Sequence, residues 1–125
     1  EGERTFFGDG TRDLFEIERV RTADGAPLMV ESNLFAVQGL EFLETESLDD
    51  VSLFDLIAGR TGRHAVRSSS QSLNIVTADE RLAKLLNVPL GGPLFYLLGH
   101  YYDQHGKPLY VGKQFIIGSR YTFTM

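Results

Sequence analysis

Two stretches of the chain share one pattern of apolar and polar positions. Leu14 to Phe35 reads LFEIERVRTADGAPLMVESNLF, and Leu94 to Ile116 reads LFYLLGHYYDQHGKPLYVGKQFI. In each, an apolar, β-branched or aromatic run leads into a polar x-Gly-x-Pro turn and out into a second such run, the signature of a β-hairpin. The second copy is longer by one residue, and the slip falls in the turn, where insertions are cheapest. Two similar hairpins at opposite ends of the chain predict one antiparallel sheet.

Period-two alternation sets Phe15, Ile17, Arg19 and Arg21 on one face of the first strand, and Glu16, Glu18 and Val20 on the other. A type I turn over Ala23-Asp24-Gly25, closed by a left-handed glycine bulge, would place Met29, Glu31 and Asn33 on the arginine face. A two-residue Asp-Gly turn would put Glu31 on the opposite face. We take the first geometry as the expectation.

Between the hairpins the periodicity changes. Residues 36–50 predict a surface connection anchored by Leu40, Phe42 and Leu43. The run from Ser52 to Ile57 predicts a short helix capped by Ser52, with Asp55 three residues on and Gly59 and Gly62 to stop it. His64 to Val76 is a serine-rich strand with Leu73 and Ile75 on one face. Thr77-Ala78-Asp79-Glu80 reads as a capping box opening a helix whose stripe is Leu82, Leu85 and Leu86, ended by Asn87, Pro89 and Gly91-Gly92. The second hairpin is apolar on both faces, as expected of a central strand pair. Tyr121 and Phe123 alternate in the closing segment. Residues 1–13 read as a poorly ordered arm or the remnant of a strand, and 14–125 as one domain. The whole predicts an α+β fold: a mostly antiparallel β-sheet with two or more helices packed against it.

Composition narrows the function. At 125 residues and 42% hydrophobic the chain can bury one core. No apolar run is long enough to span a bilayer, and the start lacks both a basic segment and an apolar block, so a soluble cytoplasmic protein is expected. With no cysteine, disulfides and thiolate metal sites are excluded. A net charge of −5 and a pI near 5.1 argue against gripping a phosphate backbone, which needs a clustered basic face. Any nucleic acid would be bound by another segment; the non-Met start at Glu1 leaves room for one.

Little catalytic chemistry is visible. His64, His100 and His105 are scattered without paired spacing, so neither a metal nor another cofactor is expected. No serine sits in a G-x-S-x-G elbow. Arg60, Arg63, His64 and Arg67 form a basic cluster at a helix end, where positive charge complements the helix dipole. Arg19 and Arg21, paired on one strand face beside apolar residues, are different. A guanidinium offers a planar fork of donors that suits a carboxylate or phosphate and is costly to bury without one. Two readings stand: the arginines hold an anionic ligand, or they pair with Glu31 and neighbouring acids in a structural network. Ser52 likewise either caps its helix alone or also helps hold an anion beside the free N–H groups.

Taken in order, R-V-R at Arg19 to Arg21, D-G-A-P-L at Asp24 to Leu28, Glu31, S-L-F at Ser52 to Phe54, the Ala78 to Val88 helix with P-L-G-G-P-L after it, G-K-P-L, and G-S-R-Y-T-F at Gly118 to Phe123 resemble the effector-binding (UTRA) domain of GntR-type transcriptional regulators of the HutC subfamily. The resemblance covers about Leu14 to Phe123. It implies a chorismate-lyase-like fold, a homodimer and a small-molecule effector. It also implies that DNA is bound only through an N-terminal winged helix-turn-helix absent from this chain. It assigns Arg19, Arg21 and Ser52 to the anion of a phosphorylated sugar or organic acid, and Glu31 to a hydroxyl or amine of the ligand. Phe54 stands where the family often has Tyr, Tyr110 where the last hairpin usually has Glu, and Ser119 where the closing segment usually has Asp. Both Phe54 and Tyr110 remain candidate ligand-lining residues.

The reading is therefore a ligand-sensing domain and not an enzyme. The alternatives are a chorismate-lyase-like enzyme whose arginines grip a dicarboxylate, and a dimerisation module with no ligand.

Overall fold

Asp24 and Gly25 have positive φ values of 53° and 80° in the computed structural model, which describes residues 2–8, 13–45, 48 and 52–120. That pair of left-handed residues is a two-residue type I′ turn. It joins β1 (Leu14–Ala23) to β2 (Ala26–Ala36). After Gly2–Phe7 (α1), which precedes this hairpin, the order continues with a 3₁₀ turn at Glu41–Glu44, α2 (Leu53–Thr61) and β3 (Ala65–Thr77). Then come α3 (Glu80–Leu86), β4 (Pro93–Asp103), β5 (Pro108–Ile116) and a 3₁₀ turn at Gly118–Arg120. The five strands form one antiparallel sheet in the order β1-β2-β5-β4-β3, so the apolar second hairpin is central, as its sequence predicted. The fold is α+β.

The turn of the second hairpin differs. Gly106, at φ 77°, donates its N–H to the Asp103 carbonyl, and Asp103 donates to Lys107, so Gln104, His105 and Gly106 make a three-residue loop. This is the geometry expected of the first hairpin, displaced to the second. It accounts for the extra residue between the two copies.

By contact the chain divides into two compact units. The first comprises Glu1–Glu16, Leu34–Ser70 and His100–Val111. Here α2 begins at Ser52, whose Oγ accepts from Asp55 N–H at 3.4 Å, and ends at left-handed Gly62. Leu53 and Ile57, four residues apart on one face, are buried, as are Leu40 and Leu43 of the preceding connection. Phe15, Phe35, Phe54, Tyr110 and Tyr101 form a chain of ring contacts with centroids 4.5 to 6.4 Å apart. α1 replaces the expected arm: Phe6 meets the rings of His100 and Tyr102 at 5.1 and 5.3 Å, giving the segment an aromatic partner.

The same unit holds a buried polar lock. Asp103 is fully buried and accepts from Arg63 Nε at 2.6 Å and from the His105 and Lys107 N–H groups at 2.9 and 3.0 Å. Arg63 also donates to the Pro108 carbonyl. Burial pushes the Asp103 carboxyl up, but the Arg63 guanidinium and the Lys107 and His105 amides outweigh it and leave the group below its ordinary value. Arg60 lies over the Phe42 ring at 5.0 Å and Arg67 over Tyr102 at 4.2 Å. The basic cluster of the sequence thus resolves into three arginines with separate partners.

The second unit comprises Ile17–Asn33, Gln71–Gly99 and Gly112–Met125. Its core is Val30, Ala78, Leu82, Leu86, Leu94 and Ile117. α3 supplies Leu82 and Leu86, four residues apart, each contributing about 1.5 to 3 kcal/mol by burial. Its cap is Asp79, which accepts from Leu82 N–H at 2.8 Å, and not the Thr77 of the expected capping box. The reason is local: Ala78 still exchanges backbone hydrogen bonds with Gly91 and Gly92, so the helix starts later. Along β3 almost every residue is exposed, including Leu73 at 48% and Ile75 at 71%. The alternating Tyr121 and Phe123 of the closing segment lie outside the described residues.

Replacing Asp103 with Ala strands Arg63 and should cost about 3 to 5 kcal/mol, read as a lower urea midpoint at unchanged slope. Because the folded Asp103 pKa is depressed, its contribution is present above the ordinary carboxylate value of about 4 and is lost as pH falls through the folded value. Urea midpoints followed from pH 7 down to pH 3 should fall more steeply in the wild type than in Asp103→Ala. Leu86→Ala should cost about 2 to 5 kcal/mol in the same assay.

Candidate functional site

The six residues singled out from the sequence divide evenly between the two units. Arg19, Arg21 and Glu31 belong to the second, and Ser52, Phe54 and Tyr110 to the first.

In the second unit a two-residue turn would, on strict alternation, put Glu31 opposite Glu18 and away from the arginines. Arg21 Nη1 nevertheless lies 3.7 Å from Glu31 Oε1. An extra residue in β2 between the turn and Glu31, a β-bulge, reconciles the two, and β2 has eleven residues against the ten of β1. The expected face is therefore reached by a different route: the bulge sits inside the strand and not in the turn. Arg19 is half-buried, the Arg21 side chain is 48% exposed, and that of Glu31 only 14%. A pair this long and this wet contributes about 0 to 1 kcal/mol. An incoming anion that draws Arg21 away from Glu31 gives up little. On the other face, Glu18 pairs with Arg81 of α3.

The bulge carries one more polar residue to the arginine face. Asn33 follows Glu31 by one pleat; it is 3% exposed, and its Nδ2 has no hydrogen-bond partner among the described residues. A buried amide left unpaired costs about 1 to 3 kcal/mol. The sequence had placed Asn33 on this face without marking it as a site residue. The available signal was its type, since Asn is depleted in strand interiors.

In the first unit, Ser52 is exposed and its hydroxyl caps α2. Phe54 lies half-buried against Tyr110 at 4.6 Å, and Tyr110 stacks on Tyr101 at 4.5 Å. These two therefore form part of an aromatic cluster. A cavity of about 400 Å³ lies in the second unit, lined by Val88, Pro89, Leu94, Phe95 and Ile117 among others. Its lining is almost wholly apolar, so it suits no anion. Among the described residues no group of His, Asp or Glu could hold a metal ion. No helix is long and apolar enough to cross a membrane.

An arginine pair beside a carboxylate on one strand face can bind a polar anion. The UTRA domain model matches residues 6–122, and the chain belongs to the UTRA domain family. It is 28% identical over 116 residues to a probable fructoselysine utilization operon transcriptional repressor of Escherichia coli K12, covering 93% of this chain and 47% of that protein. The chain thus spans about half the length of the curated relatives it matches. The effector domain of PhnF from Mycobacterium smegmatis superposes with a TM-score of 0.81 at 28% identity, over 89% of this chain and 67% of that one. A possible transcriptional regulator of Bacillus subtilis, YydK, gives 0.83 at 20% identity over 97% of this chain and 53% of that one, a likeness of fold.

Arg21→Ala should change the stability of the ligand-free domain by about 1 kcal/mol or less, measured by urea unfolding. A larger loss would make the Arg21–Glu31 pair part of the structural framework.

Proposed function

We propose that this chain is the effector-sensing domain of a transcriptional regulator, binding a small, polar, anionic metabolite such as a sugar phosphate or organic acid. The observation that carries the reading is the shared face of Arg19, Arg21 and Glu31, two guanidinium groups beside a carboxylate that lies 3.7 Å from Arg21. Arg19 and Arg21 take the anion, and Glu31 takes a hydroxyl or amine. Ser52, Phe54 and Tyr110 contribute on the family resemblance, with Phe54 supplying an apolar wall where a Tyr would supply a hydroxyl. The name of the E. coli relative, which refers to fructoselysine, supports a sugar-derived ligand. That this relative is named a probable transcriptional repressor favours sensing over a chorismate-lyase-like reaction on the same fold.

The working protein is a cytoplasmic homodimer carrying a winged helix-turn-helix outside this chain. Its effector acts by binding one conformation of the dimer better than another, and the difference in affinity sets how far the DNA-binding parts shift. A ligand with equal affinity for both conformations would leave DNA binding unchanged.

A thermal-shift screen against sugar phosphates, amino-sugar phosphates and small organic acids should find a compound that raises the melting temperature of the wild-type chain. Arg19→Ala and Arg21→Ala should each abolish that rise while leaving a cooperative unfolding transition. Normal binding by both variants would place the ligand elsewhere.

A further inference from the structure

The two edges of the sheet differ in how they meet solvent. An outer strand leaves a row of backbone N–H and C=O groups without a sheet partner, and charged side chains are a usual guard against pairing with another chain. β1 has that guard in Glu16, Glu18, Arg19 and Arg21. At the opposite edge, among the described residues, β3 has a neighbouring strand on one side only. Its half in the second unit, Gln71-Ser72-Leu73-Asn74-Ile75-Val76-Thr77, holds no charge, no glycine and no proline. Val76 packs against the α3 core, so alternation turns Leu73 and Ile75 the other way, where they are 48% and 71% exposed. Ile75 also lines the apolar cavity with Pro89 and Phe95, which carries the apolar surface from the edge into the unit.

We propose that this segment is an interface with a second copy of the chain, the two β3 edges pairing antiparallel about a two-fold axis at Asn74. In that register Leu73 stands opposite the partner's Ile75, and Ile75 opposite the partner's Leu73, so each copy covers the apolar side chains the other leaves in water. Asn74, whose amide both donates and accepts, meets the partner's Asn74 on the other face. An axis at Leu73 would set Ile75 against Gln71, and one at Ile75 would set Leu73 against Thr77. Charge favours the same edge: the chain carries a net −5, yet this segment brings no carboxylate toward its twin. The unpaired backbone calls for a strand as occupant, and the symmetric Leu-Asn-Ile pattern calls for this strand. The proposal rests on the homodimer reading and gives that dimer a surface.

The chain has no cysteine, so one introduced on β3 reports its own pairing. Residues directly opposite in an antiparallel pair have Cα atoms about 4.5 to 5.5 Å apart, within disulfide range. Under mild oxidation Asn74→Cys should crosslink into a dimer. Gln71→Cys should not, because it would stand about 20 Å from the same position of the second copy. Gln71→Cys mixed with Thr77→Cys should crosslink. Ile75→Lys changes a side chain that is exposed in the single chain, so native circular dichroism should be kept. Because symmetry makes the change twice, the dimer dissociation constant should rise about ten-fold or more by analytical ultracentrifugation. In a chain that dimerises, either a missing Asn74 crosslink or a dimer untouched by Ile75→Lys would overturn this surface and leave the homodimer reading standing. Crosslinking of Gln71→Cys as readily as Asn74→Cys would overturn the register and the proposal with it. A wild-type chain that stays monomeric at every concentration would overturn both readings.

Discussion

The site depends on a count of residues. A hairpin with a two-residue turn fixes which side chains of its second strand share a face with which of the first. Left unbroken, that count would turn Glu31 and Asn33 away from the arginines. The additional residue in β2 restores the match, and Arg21 reaches Glu31 because of it. One inserted residue between the turn and Glu31 thus assembles two cations, a carboxylate and a buried amide on one surface, while Val30 keeps its place in the core opposite. β-Bulges serve elsewhere to re-aim side chains, and here the extra residue has that effect.

The fold was largely legible from the chain because its signals are local and repeated. Alternation gave both hairpins, the Ser52 cap and Gly62 bounded α2, and the Leu82–Leu86 stripe gave α3. Where the reading missed, a tertiary contact had overridden a local cue. Thr77 has the right spacing for a capping box, but the backbone pairing of Ala78 holds the strand for another residue, and Asp79 takes the cap. Gly2–Phe7 has no periodicity to announce a helix; Phe6 finds its partners in rings nearly a hundred positions away in the chain. The turn type could not be chosen from Asp24-Gly25, since both geometries accept that pair.

The candidate site was less legible, for a related reason. Residue type and alternation marked Arg19, Arg21 and Glu31, but the burial that makes Asn33 notable appears only once its neighbours are in place. Phe54 and Tyr110 show the converse. Their family positions suggested a ligand wall, and the structure adds that Phe54 lies tilted against Phe35 and Tyr110 stacks on Tyr101, so their rings already have partners. A substitution there would perturb packing and any ligand contact together.

The Arg63–Asp103 lock joins residues forty positions apart in the chain. Closing so long a loop loses entropy before the contact returns anything, which favours late formation on the way to the native state. An interaction made after the rate-limiting step leaves the speed of folding alone and slows the reverse journey. Were the Asp103 carboxylate among the last groups to find its partner, it would act as a latch, lengthening the life of the folded domain without hastening its formation.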